Sequence, residues 1–283
     1  MIQEIAPHRF DNSYRPAPPK GDDCVLYFEN RSCLLREADG RIYFPTVAEV
    51  EERCFSGTER KGEAAYIYLF RIDETNYYLM MELDAGKLDG YRLEGKEIFR
   101  LAEPRHVAFA GFTGLHLYGW YKARRYCGGC GAEMVPDGKE RMMRCPQCKT
   151  MEFPRICPAA IIAVTDKNRI LLSKYAGRTY KRYALLAGYT EIGETMEETV
   201  RREVMEEVGL RVKNIRYYKS QPWGLTETLL MGFYCELDGS DEICLDREEL
   251  ALAEWFERED IPVEPMRDSL TNEMIMRFKN GRI

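Results

Sequence analysis

The stretch from Gly188 to Leu210, GYTEIGETMEETVRREVMEEVGL, limits most strongly what this chain can fold into. Thr195 and Glu198 have the spacing of a capping box, and Gly209 suits the left-handed position that closes a helix. The spacing predicts a helix of about four turns between them. On that helix Glu203, Glu206 and Glu207 stand at i, i+3 and i+4, so their carboxylates share one face. Like charges at that spacing cost about 0.2–0.5 kcal/mol in an isolated helix. A charge run is usually a solvated face. Hard divalent cations such as Mg²⁺ and Mn²⁺, which favour clustered oxygen ligands, give this one a purpose.

The chain has 283 residues, enough for two domains and a sizeable core. Its 45% hydrophobic and 31% charged residues are a globular composition rather than a disordered one. A net charge of -6 argues against wholesale coating of nucleic acid, though not against a local basic site. No signal-like or membrane-spanning apolar run is visible, so no membrane association and a cytoplasmic location are expected. Of the ten cysteines, Cys24, Cys33, Cys54, Cys157, Cys235 and Cys244 sit among apolar neighbours and read as reduced core residues.

Residues 1–122 read as an α+β N-terminal domain. A Pro-rich arm over 1–22 leads to strands at Cys24–Phe28 and Ile42–Phe44. A capping box at Thr46 and Glu49 starts a helix over Val47 to Cys54. Aromatic-rich strands follow at Ala65–Ile72 and Tyr77–Glu82, joined by the turn Asp73-Glu74-Thr75-Asn76. Pro104 to about Arg124 is helical in pattern, and its glycines Gly111, Gly114 and Gly119 permit close packing. His8, His106 and His116 have no metal-like mutual spacing and read as packing or surface residues.

Residues 123–155 hold Cys127-Gly-Gly-Cys130 and Cys145-Pro-Gln-Cys148, two CxxC knuckles separated by fourteen residues. That is the pattern of a zinc ribbon, a closed tetrahedral site with a structural role. Seven Lys or Arg against three acids between 122 and 149 make the ribbon locally positive. That charge dresses the surface or helps to hold a phosphate-bearing ligand. Residues 156–283 read as strands at Ala159–Thr165, Ile170–Lys174, Tyr183–Ala187, Val212–Lys219, Leu229–Leu237 and Ala253–Glu257. They read as helices after Gly188 and from about Arg267 to Lys279. Elements mixed in this order fit an α/β/α sandwich on a mixed sheet, and the chain as a whole is α+β.

Gly188, Glu194, Arg202-Glu203-Val204, Glu206-Glu207 and Gly209-Leu210 fill every fixed position of G-x5-E-x7-R-E-U-x-E-E-x-G-U, with U aliphatic. This resembles the Nudix box of the Nudix hydrolases. With the ribbon directly ahead of it, an α+β domain before that, and Ser220-Gln221-Pro222-Trp223 behind it, the chain resembles the NADH pyrophosphatase family, the NudC-like NAD-cap hydrolases. The resemblance covers about the last 160 residues well and the N-terminal domain in outline. It implies homodimers, a structural zinc, dependence on Mg²⁺ or Mn²⁺, and cleavage of NAD(H) into NMN(H) and AMP. It also implies removal of NAD caps from RNA.

Residue by residue, the resemblance makes Glu203 and Glu207 metal ligands with Glu206 beside them. Glu249 is a later metal-binding acid, and Ala187 offers a metal-binding carbonyl. It makes Glu140 a substrate contact. Phe153 and Tyr189 flank the nicotinamide, Phe153 from the partner subunit. Gln221, Pro222, Trp223, Thr228 and Thr271 also fall at substrate positions. The family marker continues SQPWPFPxS, whereas here Trp223 is followed by Gly224-Leu225-Thr226-Glu227-Thr228, so a more flexible loop is expected. Thr228 keeps the final hydroxyl, and Thr271 replaces a small alanine. These departures keep ADP-ribose or another nucleoside diphosphate derivative as an alternative substrate. A non-catalytic ligand sensor is a second alternative, and an RNA-binding role for the ribbon a third.

Overall fold

A computed structural model describes residues 1–55, 66–177, 182–267 and 269–283. They divide into two units: Ile2–Arg155 with Gly224–Glu227, and Met1 with Ile156–Trp223 and Thr228–Ile283. Ala65, the first residue of one expected strand, and Asp268, inside the expected C-terminal helix, lie outside the described residues. Among the described residues no helix is long and apolar enough to cross a membrane.

The unit that starts at Ile2 is built on a seven-stranded sheet. Its strands are β1 (Phe10–Asp11), β2 (Cys24–Glu29), β3 (Ser32–Ala38), β4 (Arg41–Tyr43), β5 (Ile67–Ile72), β6 (Thr75–Met80) and β7 (Arg92–Gly95). They run in the order β1-β5-β6-β2-β3-β4, with β7 beside β3 and β2 parallel to β6. Helix α1 (Val47–Cys54) starts at the Thr46 capping box as the sequence predicts. Helix α2 (Arg105–Ala123) is largely buried. A Cβ at Gly111 would strike the Phe99 ring and one at Gly114 would strike Leu26, so both glycines mark close approach. Three two-residue strands, β8 (Val135–Pro136), β9 (Met143–Arg144) and β10 (Met151–Glu152), make the ribbon sheet.

Three expectations change here. β3 and β7 are absent from the sequence reading because charged Arg36, Glu37, Arg92 and Glu94 break their apolar alternation. The arm over 1–22 is not wholly loop: β1 pairs with β5, and Ile2 and Ile5 are buried. Cys244 is exposed rather than in a core, and Cys24 and Cys157 are only partly buried.

The other unit explains its own layers. It comprises β11 (Cys157–Asp166), β12 (Arg169–Tyr175), β13 (Leu186–Tyr189), α3 (Met196–Val208), β14 (Val212–Trp223), β15 (Thr228–Leu237), β16 (Leu250–Glu257) and α4 (Leu270–Lys279). The sheet order is β14-β15-β11-β12-β16, with β13 also on β11, and only the β11–β15 pairing is parallel. Residues of β11 are apolar almost without interruption, which suits a strand covered on both faces. Ala160, Ile162 and Val164 pack with Val200, Val204 and Val208 of α3. Ile161 and Ala163 pack with Leu270, Met274, Ile275 and Phe278 of α4. The α/β/α sandwich on a mixed sheet follows from that alternation.

Boundaries shift where a partner strand extends pairing. β14 runs on to Trp223 and β15 begins at Thr228, so the loop expected after Ser220 is a turn of four residues, 224–227. Helix α4 begins at Leu270 rather than near 267, because Ser269 is its cap and accepts from Asn272 N at 3.3 Å.

Helix α3 ends where Gly209 turns left-handed at φ 70°, with its Cα beside Cys244. Gly209→Ala should lower stability by about 1 kcal/mol or more, through backbone strain and collision with Cys244. A lower urea midpoint with an unchanged slope checks it.

Candidate functional site

Helix α3 is fixed at its start by the capping box. Glu198 N donates to Thr195 Oγ1 at 3.2 Å, and Thr195 N donates to Glu198 Oε2 at 2.7 Å. With Val200, Val204 and Val208 in the core, Arg202, Glu203 and Glu206 emerge along one edge of the helix. Arg202 organises them. Its Nε donates to Glu194 Oε1 at 2.5 Å, and its Nη2 to Glu194 Oε2 and the Tyr189 carbonyl, both at 2.9 Å. Its Nη1 donates to Glu203 Oε1 at 2.7 Å and Glu206 Oε2 at 2.9 Å. One planar guanidinium thus fixes three carboxylates and a strand end, as a fork of charge-assisted bonds can.

The Arg202 guanidinium holds the Glu194 carboxyl down to about 2, helped by the Glu191 amide and the Thr199 hydroxyl. Glu203 shifts the other way. Burial pushes it up against the pull of Arg202, and the nearby negative charges of Glu206 and Glu249 add to the rise. Glu207 is buried, with 2% of its surface exposed, and its backbone carbonyl accepts from Asp246 N.

Gly188 makes room for this arrangement. A Cβ there would fall on the Glu203 carboxylate itself, so the strand end can lie against the acid only because the residue is glycine. A half-buried acid held beside other carboxylates, next to a cradle that a side chain would fill, fits a hard divalent cation. The box carboxylates are less tightly drawn together than the cysteines: among the described residues only the four cysteines bring three or more ligand atoms within 4.8 Å of one another.

Other expected contacts are spread around the same unit. Tyr189 is 52% exposed and its hydroxyl lies 3.2 Å from that of Thr228. Ala187 packs towards α4, the face opposite Glu203. Gln221 is fully buried and its Oε1 accepts from Leu270 N at 2.7 Å, so this side chain holds the start of α4. Pro222 is exposed and Trp223 half-buried at the end of β14. Glu249 is exposed, its carbonyl accepting from Ala176 N at 2.8 Å. Thr271 lines a cavity of about 440 Å³ with Lys174, Arg182, Tyr183 and Ser269. Sequence reasoning passed over Lys174, Arg182 and Tyr183, which carry no motif and meet only through the fold.

In the other unit, Cys127, Cys130, Cys145 and Cys148 converge with all four sulfurs within 4.8 Å. Cys127–Cys148 and Cys130–Cys145 are each 3.5 Å apart. A tetrahedral ion with Zn–S bonds of about 2.3 Å requires sulfurs about 3.8 Å apart, so the donor set fits zinc. The Gly129 amide donates to Cys127 Sγ at 3.4 Å and lowers that thiol, while the Thr150 hydroxyl at 3.1 Å pulls Cys148 down to about 6. Glu140 is exposed, its amide donating to Asp137 Oδ1, and Phe153 is 53% exposed just after β10. His8 and His106, read as packing or surface residues, stack at 3.7 Å between ring centroids, with His8 Nδ1 2.7 Å from Asp73. Only the tertiary fold brings that pair together.

Two outcomes follow from this geometry. Because the folded-state pKa of Glu194 is depressed, its contribution to stability is complete above the ordinary value of 4.5 and is lost as pH falls towards about 2. Glu194→Gln should flatten that acid limb, read as urea midpoints across the interval. Metal analysis should find about one zinc per chain, and Cys145→Ser should abolish it.

Residues 123–153 match the NADH pyrophosphatase zinc ribbon domain and residues 155–278 match the NUDIX domain. Two curated proteins called NAD-capped RNA hydrolase NudC, from Escherichia coli O1:K1 / APEC and strain SMS-3-5 / SECEC, are similar to this chain. Each is 40% identical over 162 residues, 57% of this chain and 63% of the relative. The chain thus spans a little under two thirds of the length of the curated relatives it matches. A solved NUDIX hydrolase from Nitrosomonas europaea aligns with TM-score 0.48 at 24% identity, covering 56% of this chain and 92% of its own. Residues 123–278 of this chain thus carry an NADH pyrophosphatase zinc ribbon domain directly ahead of a NUDIX domain.

Proposed function

We propose that the chain hydrolyses the diphosphate bond of NAD(H), giving NMN(H) and AMP, and removes NAD caps from RNA 5′ ends. The observation that carries this reading is the pairing of ribbon and NUDIX domain, at 40% identity to proteins called NAD-capped RNA hydrolases. The Arg202-centred carboxylates supply the chemistry such a reaction needs.

Glu203, Glu207, Glu249 and the Ala187 carbonyl would hold Mg²⁺ or Mn²⁺. A cation bound there neutralises the diphosphate and acidifies a coordinated water. Glu207 takes the proton of the attacking water, which adds to phosphorus as the bridging P–O bond breaks. Glu206 stays beside it, on Arg202. Arg202 is a positioning residue, since its five donors are already engaged by Glu194, Glu203, Glu206 and Tyr189. Tyr189 offers a flat exposed ring for nicotinamide, and Thr228, hydrogen-bonded to it, sets its angle. Pro222 and Trp223 close β14 beside Thr228, and Gln221 supports the start of α4.

In this reading the chain works as a homodimer in which exposed Phe153 covers the partner's nicotinamide, and Glu140 touches substrate from the ribbon. The cysteine quartet holds a structural zinc, since four protein thiolates leave no open position. A cytoplasmic location suits a zinc-bound cysteine quartet and six further cysteines with no disulfide between them.

Incubation of the purified protein with NADH and Mn²⁺ should yield equal amounts of NMNH and AMP, with none after EDTA. Turnover of ADP-ribose in place of NADH would overturn the substrate assignment. Glu207→Gln should lower kcat by about a hundred-fold or more while leaving the thermal midpoint near that of the parent.

A further inference from the structure

The cavity beside Thr271 has a charge pattern that the diphosphate chemistry does not use. Lys174 comes from β12 and Arg182 from the segment ahead of β13. Lys174 Nζ sits 4.0 Å from the Tyr183 ring centroid, and Arg182 Nη1 points at the Met266 sulfur, 2.7 Å away. Neither cation forms an ion pair among the described residues. The Tyr183 hydroxyl is engaged by Glu254, and among the described lining residues the one carboxylate is Glu264. Ser269 Oγ accepts from the Asn272 amide, which leaves its O–H free to donate, and Thr271 adds a second hydroxyl. Two cations and two hydroxyls around a concave space of about 440 Å³ make a donor-rich site for an anion.

Its place in the sheet says which anion. Leu171 faces the α3 core and Leu172 the α4 core, so by alternation Ser173 faces α3 and Lys174 faces α4. Two residues on, Ala176 N bonds to the carbonyl of Glu249, the acid whose charge reaches Glu203. Lys174 therefore lies about 7 Å along the strand from the acidic end, on the opposite face. The cut diphosphate belongs with the carboxylates and their cation. A second phosphate, one ribose away, would fall on the cavity side.

We propose that Lys174, Arg182, Ser269 and Thr271 bind a phosphate carried on the adenosine ribose of the substrate. The proposal rests on the dinucleotide reading above and adds a specificity determinant to it. Two substrates carry such a group: a dinucleotide with a 2′-phosphate, and a dinucleotide cap whose 3′-oxygen continues as a phosphodiester. Plain NAD(H) and ADP-ribose carry no phosphate on the 2′- or 3′-oxygen of the adenosine ribose.

Equilibrium binding by the zinc-loaded full chain tests this without requiring turnover. The probes are adenosine 2′,5′-bisphosphate, adenosine 3′,5′-bisphosphate and 5′-AMP, titrated calorimetrically. At least one bisphosphate should bind about ten-fold tighter than AMP, and Lys174→Gln or Arg182→Gln should remove that difference. Preference for the 2′,5′ compound identifies the phosphomonoester as the ligand, and preference for the 3′,5′ compound the phosphodiester. Equal binding of all three, or a preference that survives both substitutions, overturns the proposal. NADH cleavage by the same preparation reports separately on the dinucleotide reading.

Discussion

A single guanidinium holds the acidic end of this fold together. Arg202 reaches back to Glu194 before the helix, sideways to Glu203 and Glu206 on it, and across to the Tyr189 carbonyl at the end of β13. Without that cation the acids would repel one another and the strand end would lose its tie to the helix. Glu194 and Glu203 share that cation yet shift in opposite directions, because burial outweighs its pull at Glu203. Glu194 is close to Arg202 on both oxygens and stays ionised into acid. Glu203 shares the cation while buried among other acids and is driven towards its neutral form. A buried acid so placed is a group waiting for a second positive charge, which is the electrostatic basis of the metal-dependent reading.

Strand β13 joins two kinds of surface in four residues. Gly188 lies against Glu203 of α3, while Ala187 before it packs towards α4. Polar chemistry gathers on the first side. On the second lie the Gln221 contact with Leu270 and the cation-lined cavity. The alternation of a β-strand, rather than any loop, separates the carboxylate cluster from the cation-lined cavity.

The sequence revealed what depends on local spacing. The capping boxes at Thr46 and Thr195, Gly209 and the two cysteine knuckles are each read within a few residues, and the structure places each as read. What depends on pairing was less visible. β3 and β7 carry charges that hide their period, and the turn after Trp223 is short because β14 and β15 keep pairing through Pro222 and Trp223. Gln221 illustrates the limit most clearly. Its neighbourhood suggested a ligand contact, yet its side chain caps a backbone amide 49 residues away. Lys174 and Arg182 carry no motif, so their shared cavity emerges only once β12 and the start of α4 are brought together.

The alternation at β13 also bears on how such chains can change length over time. Because neighbouring residues there serve opposite faces, one inserted or deleted residue within Leu186–Tyr189 would turn Gly188 away from Glu203 and drive a side chain into the acid's place. Indels should therefore be purged from this strand, while the turn at 224–227 is held by a different constraint, since a Cβ at Gly224 would strike the Phe112 carbonyl. Lineages with different ligands would then differ in cavity cations, with β13 retained as a fixed ruler between them.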